Sequence, residues 1–245
     1  MMDQTNKVRL FIKETISLFV NISLSPAQAK YLFKVMRLNV GQFLLVIDGT
    51  TGEYLAQIIE IGNKTGKIKI CTKTKNLLPP LDLWLLFSPL KKVRTDFVIE
   101  KATELGVSRI IPFISTRTNS KNFRINRFQN IMIEALEQCG GTYLPKIEEP
   151  RKLNKLLSEW PKERSLLFCD EKLVESPTSN PMDKFSAKPC AGILIGPEGG
   201  FSDEEGVLVR SKKAAIPVCL GRNVLRAETA AISAISIWKG LNQKI

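Results

Sequence analysis

From Val8 to about Lys75 the chain sets short apolar, β-rich runs (RLFI, FLLVID, EYLAQIIEI, KIKICTK) against turn signals at Asp48-Gly49 and Gly62-Asn63. That rhythm predicts a small antiparallel β-barrel. One helix interrupts it, with Ser25 as N-cap and Pro26 at its first position, ending before Val40-Gly41. Pro79-Pro80 then favours a stiff, extended connector over a continuing element. We place the domain boundary there, which divides the chain into a barrel over residues 1–76 and a second domain over 77–245.

Beyond the prolines, apolar strands alternate with helices: LWLLFS, a helix from about Lys91 to Leu105, RIIPFI, a helix over Arg124 to Cys139, then SLLFCD, AGILIG, VCLG and a last helix. Near-continuous apolar strands between helices predict an α/β domain whose parallel sheet is covered on both faces. Glu175 to Pro189, rich in Pro, Ser and Lys, reads as a loop, and no internal repeat is present.

Composition narrows the chemistry. The chain has no histidine, which removes Ser-His-Asp and Cys-His catalysis and leaves a carboxylate, lysine or tyrosine as any general base. Its five cysteines lie far apart without a C-x-x-C pair, so neither structural zinc nor a disulfide framework is expected, and no metal is required. No apolar run reaches the roughly 18 residues of a membrane span, and the N-terminus lacks the apolar core of a signal peptide, so a cytoplasmic protein is expected. Thirty-six basic against twenty-four acidic side chains give a formal charge of +12, which attracts polyanions and puts nucleic acid first among partners. Such an excess also simply keeps a protein soluble, so the position of the charges has to decide.

Three segments carry chemistry. In AGILIGPEGGFSDEE, Ala191 to Glu205, a buried strand runs into a glycine turn and then a helix, with Ser202 and Glu205 spaced as a capping box. Asp203 to Glu205 suit the helix dipole but would repel phosphate, and the turn lacks G-x-G-x-x-G, so a nucleotide-like ligand without a phosphate chain fits better. GNKTGK at Gly62 to Lys67 likewise misses the P-loop spacing. The second segment, Val218 to Ser236, repeats strand, glycine turn and helix. Ala227, Ala230, Ala231 and Ala234 line one face of that helix while Ile232, Ile235 and Trp238 make other faces apolar, as in a central core helix or one that also forms a dimer interface. The third, Leu85 to Val107, opens its helix with Lys91, Lys92 and Arg94, against the dipole, which suits RNA phosphate or merely a solvated helix end.

GPEGGFSDEE followed by LGRNVLRAETAA, preceded by KxxRxDFVIEKATELGV and by EALEQCGG at Glu134 to Gly141, resembles the SPOUT (α/β knot) methyltransferases. The resemblance is closest to the family that methylates N3 of a uridine in 16S (small-subunit) ribosomal RNA. It covers nearly the whole chain; Phe33 to Gly41 matches the V-L-R-x-x-x-G segment of that family's PUA-like RNA-binding domain. It implies a trefoil knot in the C-terminal domain, homodimers with the active site at the subunit interface, and a pocket where the two glycine turns meet around S-adenosylmethionine. Carried over residue by residue, Leu194, Gly196 and Pro197 from the first turn and Leu220, Gly221, Val224, Leu225, Arg226 and Thr229 from the second would surround that cofactor.

Arg226 is the candidate for stabilising charge on the uracil carbonyls, and Glu198 or Glu228 for accepting the N3 proton, although Glu228 could instead complement the helix dipole. Arg9, Lys34, Arg37, Lys91, Lys92 and Arg94 are the candidate RNA contacts, with 16S ribosomal RNA or the small ribosomal subunit as partner. Tyr31 or Leu32 stands where family members often carry histidine and Gly141 where they often carry arginine, so no role is carried onto those positions. A related enzyme acting on another RNA position, such as a ribose 2′-hydroxyl, and a non-catalytic RNA-binding assembly factor are the alternatives.

Overall fold

The computed structural model describes residues 8–119, 123–174, 185 and 190–242, without the side chain of Lys92. The stretch from Glu175 to Pro189, read as a loop, lies almost wholly outside the described residues. The chain forms two compact units, Met1–Pro79 with Leu136–Leu144, and Pro80–Ala135 with Pro145–Ile245.

The first unit is a five-stranded sheet in the order β1-β3-β4-β5-β2, built from β1 (Arg9–Phe11), β2 (Asn21–Ser23), β3 (Phe43–Ile47), β4 (Gly52–Ile61) and β5 (Gly66–Asn76). β3, β4, β5 and β2 pair antiparallel as the turn signals predict, but β1 runs parallel to β3. The thirty-odd residues between them supply the long crossover that parallel neighbours need, and that crossover contains β2, too short to show a period. It also holds α1 (Pro26–Lys30), which starts in the capping box of Ser25 and Gln28 and loosens into a π-helical turn over Tyr31–Val35. Arg37, at φ 56, stops it, so the helix ends earlier than the pattern predicts.

Asp48 closes β3. One carboxylate oxygen accepts the amides of Thr50 and Thr51 (2.8 and 2.7 Å), and the other accepts the Thr51 hydroxyl and the buried Ile16 amide (2.6 and 2.9 Å). Burial pushes its pKa up, but these hydrogen bonds together prevail and hold it below the ordinary 3.8. A depressed carboxylate stabilises the fold above its unfolded pKa and loses that contribution as pH falls through the folded value. We therefore expect acid unfolding to steepen below about pH 4 in the natural protein. Asp48→Asn should be less stable at pH 7 and lose less stability between pH 7 and pH 3 than the natural protein; an equal loss in both, measured by urea unfolding at the two pH values, would contradict this.

In the second unit, β6 (Asp82–Phe87), β7 (Arg109–Ile114), β8 (Lys146–Ile147), β10 (Ser165–Cys169), β11 (Cys190–Ile195) and β12 (Ala215–Val218) form a parallel sheet ordered β12-β10-β11-β6-β7-β8, and β9 (Arg151–Lys152) adds to β7. Alternate strand residues Leu86, Ile111, Phe113, Leu166, Phe168 and Leu194 pack on one face against α4 (Leu153–Ser158) and Val209 of α5 (Asp203–Arg210). Leu85, Ile110, Leu167 and Ile193, pointing the other way, are equally buried, which is why the strands read as unbroken apolar runs. α2 (Lys92–Glu104) packs on α6 (Ala227–Asn242), and α6 packs on β11; α3 (Ile125–Cys139) follows β7. Gly192 on β11 is where Trp160 and Leu86 close in; a Cβ there would overlap the Trp160 ring.

The last strand departs from expectation. The pattern predicts it over VCLG, whereas β12 ends at Val218, and Leu220 and Gly221 belong to the turn. Pro217 is tolerated inside the strand because β12 is the sheet edge. Among the described residues no helix is long and apolar enough to cross a membrane.

Candidate active site

Parallel α/β sheets present ligands at the carboxyl ends of their strands. Here β12, β10 and β11, neighbours in the sheet, end together at Val218, Cys169 and Ile195, and a cavity of about 250 Å³ opens beyond them.

The first glycine turn, Gly196 to Phe201, forms one wall. It is braced from the segment after β7: Arg117 donates to the Gly199 carbonyl (2.8 Å), Thr116 donates its amide to Glu205 (2.7 Å), and Asn119 reaches Glu198 Oε2 (3.4 Å). The predicted capping box is present, Ser202 and Glu205 each accepting the other's amide, and starts α5. Gly200, at φ 68, folds the turn back onto Pro197; a Cβ there would run into the Glu171 carboxylate. The second turn, Cys219 to Arg226, forms the facing wall with Leu220, Val224, Leu225 and Arg226, and α6 starts directly after it. Two turns separated by some twenty residues thus line one cavity because their strands flank β10.

Of the residues expected around the cofactor, Gly196, Pro197, Leu220, Val224, Leu225 and Arg226 line the cavity. Leu194 lies in the hydrophobic core beneath it, while Gly221 and Thr229 lie outside the lining, both exposed. Glu198 lines the cavity and Glu228 does not. Arg226 is exposed, and among the described residues it has no ion pair. Arg94, expected to meet RNA, stands instead in the cavity wall, donating to Glu198 at 2.8 Å, with Glu228 at 3.5 Å.

Asp170, Glu171, Lys172 and Arg210 also line the cavity and were not anticipated. Asp170 is buried and paired with Arg210. The signal for it was available, since SLLFCD is an apolar strand that ends on a charged residue at its carboxyl end. Burial, then the neighbouring Asp170 and Cys219, push the Cys169 thiol up, so it meets the cavity as a neutral thiol and not as a nucleophile.

The other candidate RNA contacts divide. Lys34 and Arg37 are exposed at the end of the π-helical turn, Lys91 is the exposed N-cap residue of α2, and Lys92 opens that helix. Arg9 is turned inward. Its side chain is 8% exposed, and four of its five N–H donors go to Glu53 (2.9 Å) and the carbonyls of Leu136, Glu137 and Gly141, a placement that suits a structural tie better than a phosphate contact.

Residues 78–239 match the family of the RNA methyltransferase domain, and residues 24–71 match the RNA methyltransferase PUA domain. Fold and site therefore define an RNA methyltransferase with a PUA-like N-terminal unit. The chain is 31% identical to the ribosomal RNA small subunit methyltransferase E of Rickettsia conorii, over 93% of each chain. It is 33% identical to that of Buchnera aphidicola subsp. Schizaphis graminum, over 93% of this chain and 94% of the relative. It belongs to the ribosomal RNA small subunit methyltransferase E family. Among solved structures it is similar to a putative methyltransferase of Legionella pneumophila in complex with the bound cofactor SAM. That match has TM-score 0.85 and 29% identity, over 97% of this chain and 98% of the other. The Neisseria gonorrhoeae ribosomal RNA small subunit methyltransferase E bound to S-adenosyl methionine has TM-score 0.83 and 25% identity, over 96% and 97% of the chains.

The lining suits such a cofactor. Apolar side chains (Ile195, Pro197, Leu220, Val224, Leu225) can cover a nucleoside, and Glu171, which among the described residues is in no ion pair, can face a sulfonium.

Proposed function

We propose that this protein transfers a methyl group from S-adenosylmethionine to N3 of a uridine in 16S ribosomal RNA, acting as a homodimer in the cytoplasm on the RNA or on the small ribosomal subunit. The observation that carries the reading is the meeting of both glycine turns in one cavity lined by the exposed Arg226, in a chain matching its family over nearly its full length. When bound, the cofactor supplies an electrophilic methyl on sulfur. Gly196, Pro197, Leu220, Val224 and Leu225 would hold it, and on the family resemblance Leu194, Gly221 and Thr229 would support them. The same reading makes the C-terminal segment a trefoil knot.

Uracil N3 carries a proton that must leave before or during attack, and negative charge then spreads onto the two flanking carbonyls. Arg226 is assigned to those oxygens. Of Glu198 and Glu228 as proton acceptor, Glu198 is favoured because it alone lines the cavity. Lys34, Arg37, Lys91 and Lys92 are assigned to RNA phosphates, where they set affinity and not sequence. Mass spectrometry of ribosomal RNA from cells with and without the protein tests this. The expected result is loss of one 3-methyluridine from 16S RNA; loss of a methyl group at another position or on a ribose would reject the assignment.

A further inference from the structure

Arg94 sits in the first turn of α2, where a positive charge opposes the helix dipole. Its surroundings explain the placement. Nη1 donates to Glu198 Oε1 at 2.8 Å, and Nε lies 3.5 Å from Glu228 Oε1. Glu198 belongs to the first glycine turn and Glu228 to the first turn of α6, so one planar guanidinium joins three elements of the same unit. Both carboxylates are largely shielded, with side chains 18% and 14% exposed. Among the described residues neither has another cation within ion-pair distance, and Glu228 Oε2 is buried without a hydrogen-bond partner. Two like charges in a shielded wall repel unless a cation stands between them, and a fixed fork of donors serves two acceptors better than an ammonium does.

We propose that Arg94 is a positioning residue of the methyl-transfer site: it fastens the Gly196–Gly200 turn and the start of α6 to α2, and so sets the two walls of the cofactor cavity. The proposal rests on the S-adenosylmethionine site proposed above. It gives Arg94 a role inside the unit in place of a phosphate contact.

The test combines calorimetric titration of S-adenosylmethionine into the full chain with 16S RNA binding measured across a salt series. Arg94→Ala should weaken cofactor affinity about tenfold to a hundredfold, the scale on which small misplacements in a site are felt. Arg94→Lys should recover part of the loss. Glu198→Gln should add little to Arg94→Ala, since both act through one contact. The slope of log affinity for RNA against log salt should stay unchanged in all three. Unaltered cofactor affinity, with a salt slope reduced by about 0.7–0.9 in Arg94→Ala, would identify a phosphate contact and overturn the proposal. If Arg94→Ala loses its melting transition, Arg94→Lys and Glu198→Gln carry the same comparison. The natural chain is the control: no cofactor binding there would remove the site itself, whereas normal binding with undiminished variants overturns only the role of Arg94.

Discussion

Replacing Arg226 by alanine should lower methyl transfer by about two to three orders of magnitude, the usual effect of removing one preorganised donor aimed at developing charge. Stability should stay within about 0.5 kcal/mol, as for an exposed side chain away from the core. The contrast with Arg94 makes the expectation specific. Both arginines line one cavity, but Arg94 is engaged with Glu198 and Glu228, while Arg226, among the described residues, has no ion pair. A cation left free beside a shielded cavity is available to an incoming anion at no cost in broken contacts. Single-turnover methylation of 16S RNA, alongside a melting curve, measures both quantities. Near-normal turnover in Arg226→Ala would reject its role; a large drop in melting temperature would show that the side chain supports the fold instead.

The second large effect falls on stability. Arg9→Ala should cost about 3–5 kcal/mol, because it leaves Glu53 buried without its main counter-charge and strips a donor from three backbone carbonyls. Glu53's side chain is 2% exposed; besides Arg9 it has the Thr74 hydroxyl at 2.9 Å and Lys75 at 3.5 Å. The second of those bonds is too long to replace a guanidinium. The same side chain ties β1 to Leu136–Leu144, a segment that returns to the N-terminal unit from distant sequence. Denaturant unfolding measures the loss. Removing both partners, in Arg9→Met with Glu53→Gln, should recover part of it, since no charge is then stranded. A stability change under about 0.5 kcal/mol, with a weaker salt dependence of RNA binding, would restore Arg9 to the RNA surface.

These two arginines show where sequence reading succeeds and stops. Both are cations in a basic chain; the LGRNVLRAETAA segment sets Arg226 apart, but nothing beside Arg9 along the sequence shows that it turns inward. Periodicity did locate most strands and helices of the second unit to within a few residues, because strands buried on both faces must be apolar throughout. Capping chemistry is local as well: Ser25 and Ser202 start helices through residues three positions away. β2, β8 and β9, at two or three residues each, have no period to detect, and they form because a longer strand already offers its edge.

The sequence by itself determined a β-rich stretch followed by an α/β pattern, the two glycine turns, and the exclusion of histidine chemistry. Each depends on residues close along the chain. Only the tertiary structure decided that the two turns share one cavity with Arg94 in its wall, that Arg9 faces inward, and that Leu136–Leu144 joins the first unit. Those outcomes depend on strand order and on which charges end up desolvated together. Both are settled by contacts between residues tens to more than a hundred positions apart, which no local pattern records.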